Sequence, residues 1–273
     1  FTFDDTLTQI GLGYLPLVVL SRTPRVVVWW SLIGLLAGSL AAYGWYSLPD
    51  ASFNYEAVGV PDSWPHHMTG WGGHWNKNSN LGWAADRWFL NLWPRETPFQ
   101  FHPGGYTTLN FVPTLATMLL GLVAGRCLGE IPQLERRLAR FGLAGVVCLV
   151  SGWALNHLSW SPMIKRLWTT SFVLWSGGMC FLVLGILHLI CDAWHWKSWT
   201  RPWIVLGSNS IVIYVLSWIA EEPLLAAIDR HFGSTLLRVV GTDWYPTVQG
   251  GLALGVLWAF MTWMYKRRIF VKL

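Results

Sequence analysis

Seven long runs of predominantly apolar residues, at about 5–20, 26–46, 108–125, 141–158, 168–191, 203–220 and 247–265, constrain this chain more than any other feature. A bilayer core of about 30 Å is crossed by roughly 20 helical residues. Lipid offers no partner to free backbone N–H and C=O groups, so spans of this length are expected as helices. Strands are excluded by the length of the runs and by the lack of strict apolar–polar alternation. The expected fold is therefore all-α: a polytopic integral membrane helical bundle of about seven transmembrane helices with one large non-cytoplasmic loop. No repeat or linker divides it, so residues 1–273 read as a single transmembrane domain.

Charge supports this reading and gives it a direction. Only 12% of residues are charged, against 53% hydrophobic, where a soluble domain carries roughly 25% charged residues. The formal net charge of +5 does not point to nucleic acid, because the cations fall in short clusters between apolar runs. Twelve of the 19 Lys and Arg lie in "SRTPR" (21–25), "RCLGEIPQLERRLAR" (126–140), "CDAWHWKSWTRP" (191–202) and the tail "YKRRIFVKL" (265–273). Seven alternating spans put all four segments on one side, which the positive-inside rule makes cytoplasmic. The expected setting is the inner membrane of a bacterium, with the C-terminus inside and residues 47–107 outside. Phe1 would then lie outside, without Met or a signal-peptide pattern, as expected of the C-terminal portion of a longer protein. The 21 Trp suit interface belts or an aromatic-lined cavity.

Polar residues concentrate at a few points. "GGHWNKNSN" (72–80) sets His74, Asn76, Lys77 and Asn78 together in the outer loop. Asn and Ser there serve either as turn and cap residues or as a functional cluster. Just beyond it, "LGWAADRWFLNLW" (81–93) reads as an interfacial helix with Trp83, Trp88 and Trp93 toward the headgroups. "SPMIKRLWTTSF" (161–172) places Lys165 and Arg166 at an outward helix start, against the helix dipole. Such a pair serves either an anionic ligand or lipid phosphate. His188 and Asp192 share a helix face, and Ser208, Asn209 and Ser210 open the sixth span, suited to helix packing or to a ligand. His66, His67 and His74 have no acidic partner at ligand spacing, and Cys127, Cys148, Cys180 and Cys191 show no CxxC pairing, so neither metal nor disulfide is expected.

Several segments come in a recognisable order: "HWNKNSNLGWAADRWFLN", "GGYTTLNFVPTLATMLLGLVAGRCL", "PMIKRLWTTSFVLWSGG", "GSNSIVIYV" and "YKRRIFVKL". From about residue 70 onward, and more loosely at "TLTQIGLGYL", the chain resembles the membrane acyltransferases related to heparan-α-glucosaminide N-acetyltransferase, including bacterial members described by a domain of unknown function. The resemblance implies acetyl-CoA as co-substrate and an amino sugar or similar glycan as acceptor, met on the outer side. Acyl transfer to an amine needs a base to take its proton, donors for the forming oxyanion and cations for the donor's phosphates. On that basis His74, Asn76 and Asn78 are the candidate catalytic residues. Lys77, His102, Lys165, Arg166, Trp168 and Asn209 are the candidates for binding substrate or acyl-CoA.

The chain departs from the family at two points. The histidine proposed to be catalytic in family members lies before the matching region, so no residue here inherits that role. The acidic "D-P-E-G" motif of many members is replaced by "FHPGGYTTLNF", with His102 and Gly104 where acids would stand. Two other readings stay open beside the acyltransferase: an accessory transmembrane subunit of a larger complex, and a transporter of a polar or lipid-linked substrate. Expected partners are the lipid bilayer, other membrane subunits or a second copy of the chain, and a glycan or small-molecule acceptor, with no nucleic acid.

Overall fold

The computed structural model describes residues 2–271, apart from the side chains of 234–238 and 240. Phe1 and Lys272, read above as an outer start and part of a basic tail, lie outside the described residues. Every regular element among them is helical. They divide into two compact units, 1–193 and 194–273.

The first unit is built on α1 (Thr6–Ser21), α2 (Arg25–Trp45), α4 (Phe111–Glu130), α5 (Leu134–His157) and α6 (Thr170–His188). A short α3 (Leu81–Phe89) lies in the long connection between α2 and α4. Apolar residues at helical spacing set the core: Val28, Leu32 and Leu36 of α2 meet Leu115, Ala116, Leu119 and Leu120 of α4, with Phe141, Val173 and Phe181 behind them. Small residues bring α5 and α6 together. A Cβ added to Gly152 would lie 2.8 Å from the Ser171 carbonyl oxygen, and one on Gly178 the same distance from that of Gly145. Hydroxyls tie the helices further: Thr170 donates to the Leu36 carbonyl (2.9 Å), and Thr114 to the Gln9 amide oxygen (3.1 Å).

The two ends of this bundle differ. At one end, residues 46–107 and 158–169 form a folded cap, termed here the loop end. At the other, Arg25 is ion-paired with Glu130, and Arg126 donates to the carbonyls of Ser21 (2.7 Å) and Thr23 (2.9 Å). The basic connection 126–140 is mostly helix. Only Ile131, Pro132 and Gln133 separate α4 from α5, so its arginines ride on helical turns.

In the second unit α7 (Arg201–Gly207) and α8 (Ser210–Ile219) precede α9 (Glu221–Lys266). Val205, Met261 and Met264 are its buried centre. The stretch 221–246, expected as a connection, is helical as part of α9, which is interrupted at Gly241 (φ 75°).

These elements bear out an all-helical chain with several apolar helices of membrane-spanning length, and the count of seven is not confirmed. Among the described residues, five helices are long and apolar enough to cross a membrane, and a sixth counts if α7 and α8, bent by 68°, form one broken span. The α1 helix has 16 residues, about 24 Å at 1.5 Å per residue, short of a hydrocarbon core. The run 203–220 is broken at Ser208–Asn209. There the Asn209 amide donates to the Ile269 carbonyl (2.8 Å) and its oxygen accepts from the Val271 N–H (2.8 Å), groups outside the helix.

Candidate functional site

The loop end encloses a cavity of about 780 Å³, within the range of small-molecule sites. Three cations line it: Lys77 from the polar stretch, and Lys165 and Arg166 from the α5–α6 connection. His66, His67, Trp64 and Tyr106 line it too, and no carboxylate does. Lys77 Nζ lies 4.9 Å from the Trp64 ring centroid, and Arg166 5.9 Å from that of Tyr106, both within cation–π reach. Burial holds the Lys77 ammonium below the usual lysine range, and the Arg166 guanidinium adds to the effect. An anion bound here would relieve that repulsion.

Local chemistry explains why the cations converge. The Arg166 guanidinium donates to the Gly104 carbonyl (2.9 Å), and its own carbonyl accepts from the Asn110 amide (2.7 Å). The preceding loop is pinned by the Thr169 and Ser171 hydroxyls, which both donate to the Pro162 carbonyl (2.7 and 3.0 Å). Lys165–Leu167 form a single 3₁₀ turn that ends at Trp168 in the left-handed region (φ 51°), a conformation a bulky residue adopts only under constraint. The constraint is visible: the Trp168 indole N–H donates to Thr117 of α4 (3.0 Å). Trp168 therefore turns toward the helices and is not among the cavity's lining residues. Gly105 (φ 73°) completes the wall, where an added Cβ would lie 2.9 Å from the Lys77 Cγ.

The polar stretch behaves as scaffold around Lys77. The Asn76 side chain accepts from the Met68 N–H (2.9 Å) and donates to the Met68 carbonyl (2.8 Å). Asn78, itself at φ 53°, donates to the carbonyls of Val58 (2.8 Å) and His102 (3.2 Å). Asn80 caps α3 through the Trp83 N–H (3.0 Å) and donates to the Asn76 carbonyl (2.8 Å). His74 Nδ1 donates to the Tyr46 carbonyl (2.7 Å), because that oxygen can only accept. Trp75 stacks on Tyr43, with centroids 6.4 Å apart, and reaches the cavity. His74, Asn76 and Asn78 thus stand around the cavity without lining it. The interfacial helix expected at 81–93 is α3 with one further 3₁₀ turn. Trp88 and Trp93 are exposed as expected, whereas Trp83 is buried and donates to the Gln100 carbonyl (2.9 Å).

Behind the glycine wall stands a group that the sequence reading missed. His102 Nδ1 accepts from the Gly104 N–H (2.9 Å), so its Nε2 carries the hydrogen and faces Asp4 Oδ2 at 3.1 Å. Asp86 is buried and accepts from the Thr108 N–H (3.0 Å). Burial pushes its carboxyl up, against the Thr108 bonds, and the Asp4 charge pushes the same way. Two carboxylates from distant parts of the chain thus join His102, where the sequence had read only an acidic motif lost. Tyr43 is buried nearby. Nothing in the spacing of Asp4 or Asp86 signals this grouping; a lone acid in the apolar face of "LGWAADRWF" was the available clue.

The remaining candidates lie elsewhere. Asn209 belongs to the second unit, where it holds the 269–271 backbone as described. His188 Nδ1 is 2.5 Å from Asp192 Oδ2, at the far end of α6 from Lys165. Among the described residues, no three His, Cys, Asp or Glu side chains converge as metal ligands would.

No family model matches the chain. Among curated proteins it is similar to mouse heparan-alpha-glucosaminide N-acetyltransferase, with 27% identity over 189 residues covering 65% of this chain. The chain spans about a quarter (26%) of that relative's length. A likeness of this size suggests a distant relationship with an N-acetyltransferase.

Proposed function

We propose that the chain is part of a membrane acyltransferase that moves an acetyl group from acetyl-CoA to an amino sugar or similar glycan. The observation that carries this reading is the cavity itself. It joins Lys77 to Lys165 and Arg166, three cations with no lining carboxylate, and so favours an anionic ligand. The distant likeness to an N-acetyltransferase supplies the reaction class.

In this reading the phosphates of acetyl-CoA lie against Lys77, Lys165 and Arg166. Trp64, Trp75 and Tyr106 offer faces for an adenine or a sugar ring. The acceptor amine attacks the thioester carbonyl, a C–N bond forms, the C–S bond breaks, and the amine's proton passes to a base. His66 and His67 are the imidazoles that line the cavity, and His74 stands just behind. Asn76 and Asn78 act by holding the wall, since their amides are engaged with backbone groups. That engagement also favours a second reading, a binding subunit without transfer chemistry, whose reacting groups come from another chain.

The test is acetyl-CoA binding and acetyl transfer by the purified protein, beside Lys165→Ala and Arg166→Ala. We expect saturable binding that each substitution weakens roughly tenfold, the value of one charge-assisted contact. Binding without turnover selects the second reading, and no binding by folded protein rejects both.

A further inference from the structure

The arginine end of the first unit carries a second opening, independent of the cavity just described. A groove of about 330 Å³ runs between the start of α2, the end of α4 and the first half of α5. Val28, Phe141 and Phe181, all buried, form its floor. Its open side is made by Trp29, Leu143 and Val147, which are 44%, 67% and 53% exposed. All three sit on helices long and apolar enough to cross a membrane, so the groove opens sideways toward hydrocarbon.

Its mouth is cationic. Arg25, Arg126 and Arg140 line the groove, and no acid does. Arg25 is ion-paired with Glu130, and Arg126 donates to the Ser21 and Thr23 carbonyls, so these two guanidiniums already have partners. Arg140 is exposed and makes no hydrogen bond or ion pair among the described residues. Across the connections 21–25 and 126–140, six arginines face only two acids, Glu130 and Glu135.

An apolar slot open to the bilayer and closed by cations at the level where helices end fits one kind of molecule. It must have a hydrocarbon tail and an anionic head. A soluble anion gains nothing from the apolar floor. A zwitterionic lipid fills the slot but brings its own cation to the arginines. We propose that this groove binds an anionic diacyl phospholipid, with one acyl chain along Trp29, Leu143 and Val147 and the phosphate against Arg140, with Arg25 and Arg126 behind it.

The experiment is native mass spectrometry of the whole protein, titrated with phosphatidylglycerol or phosphatidylcholine of matched chains. Arg140→Gln, Arg140→Lys and Val147→Trp change exposed side chains, and their folding is checked by circular dichroism. We expect phosphatidylglycerol to bind roughly fivefold more tightly than phosphatidylcholine, the effect of one arginine at an anionic headgroup. Arg140→Gln should abolish that preference and Arg140→Lys keep it, while Val147→Trp should weaken both lipids. Equal affinity for the two lipids in the unaltered protein overturns the proposal. So does a preference that survives Arg140→Gln. Displacement of lipid by glycerol 3-phosphate at equal concentration would make the site one for free anions, and indifference to Val147→Trp would reduce it to surface attraction; either result overturns it as well.

Discussion

Asp86 is a carboxyl group removed from water at the centre of the loop end, and its titration should be visible in stability. Burial raises its pKa above the ordinary 3.8, so the folded protein holds a proton that the unfolded chain has already released. Stability from this group is complete below 3.8 and is lost as pH rises through the folded-state value. In thermal unfolding scans from pH 3.5 upward, Asp86→Asn should remove that downward slope while retaining an acceptor for the Thr108 N–H; an unchanged slope would show that another group is responsible. At this scale the sequence was half legible. The density of polar residues at 74–80 drew attention to the loop end, and Lys77, Lys165 and Arg166 line one cavity there. What the asparagines do was not legible, because Asn76 answers to Met68 and Asn78 to Val58 and His102. Whether an amide faces a ligand or a carbonyl depends on those folded distances.

Helices were read best where their stability is a matter of length and apolar content. The α2 and α6 helices begin and end near the expected positions, whereas α4 runs on to Glu130 and α5 begins at Leu134, taking up most of the expected connection 126–140. The break between α7 and α8 escaped because its cause lies some sixty residues away, in backbone groups at Ile269 and Val271 that claim Asn209. The pairing of α5 with α6 was likewise hidden, since a glycine looks the same in sequence whether it meets open space or a neighbour. The difference is measurable. Gly178→Ala forces a methyl group to within 2.8 Å of a backbone oxygen and should lower stability by about 1–3 kcal/mol. Gly142→Ala, where nothing lies within 4 Å, should be neutral or slightly stabilising. Equal melting temperatures for the two variants in detergent would refute close packing of α5 on α6.

For the whole molecule, the expected topology puts the loop end outside and the arginine end inside. In a background lacking Cys127, Cys148, Cys180 and Cys191, Thr97→Cys should react with an impermeant maleimide in intact cells. Arg136→Cys should react only after permeabilisation. The reverse pattern would invert the assignment and place the 780 Å³ cavity in the cytoplasm. Division into two units was not legible, because no Pro-, Gly- or Ser-rich linker stands near residue 194. The boundary is set by which helices bury one another, and apolar helices carry too little amphipathic contrast to announce their partners.

The asparagine clamps carry one more consequence, for kinetics. Each of Asn76, Asn78 and Asn80 spends its amide on the loop's own backbone, so the cavity wall is set before any ligand arrives. Little ordering is left to be done on contact. Capture should then proceed at the rate of encounter, and differences among ligands should be written in how long each one stays.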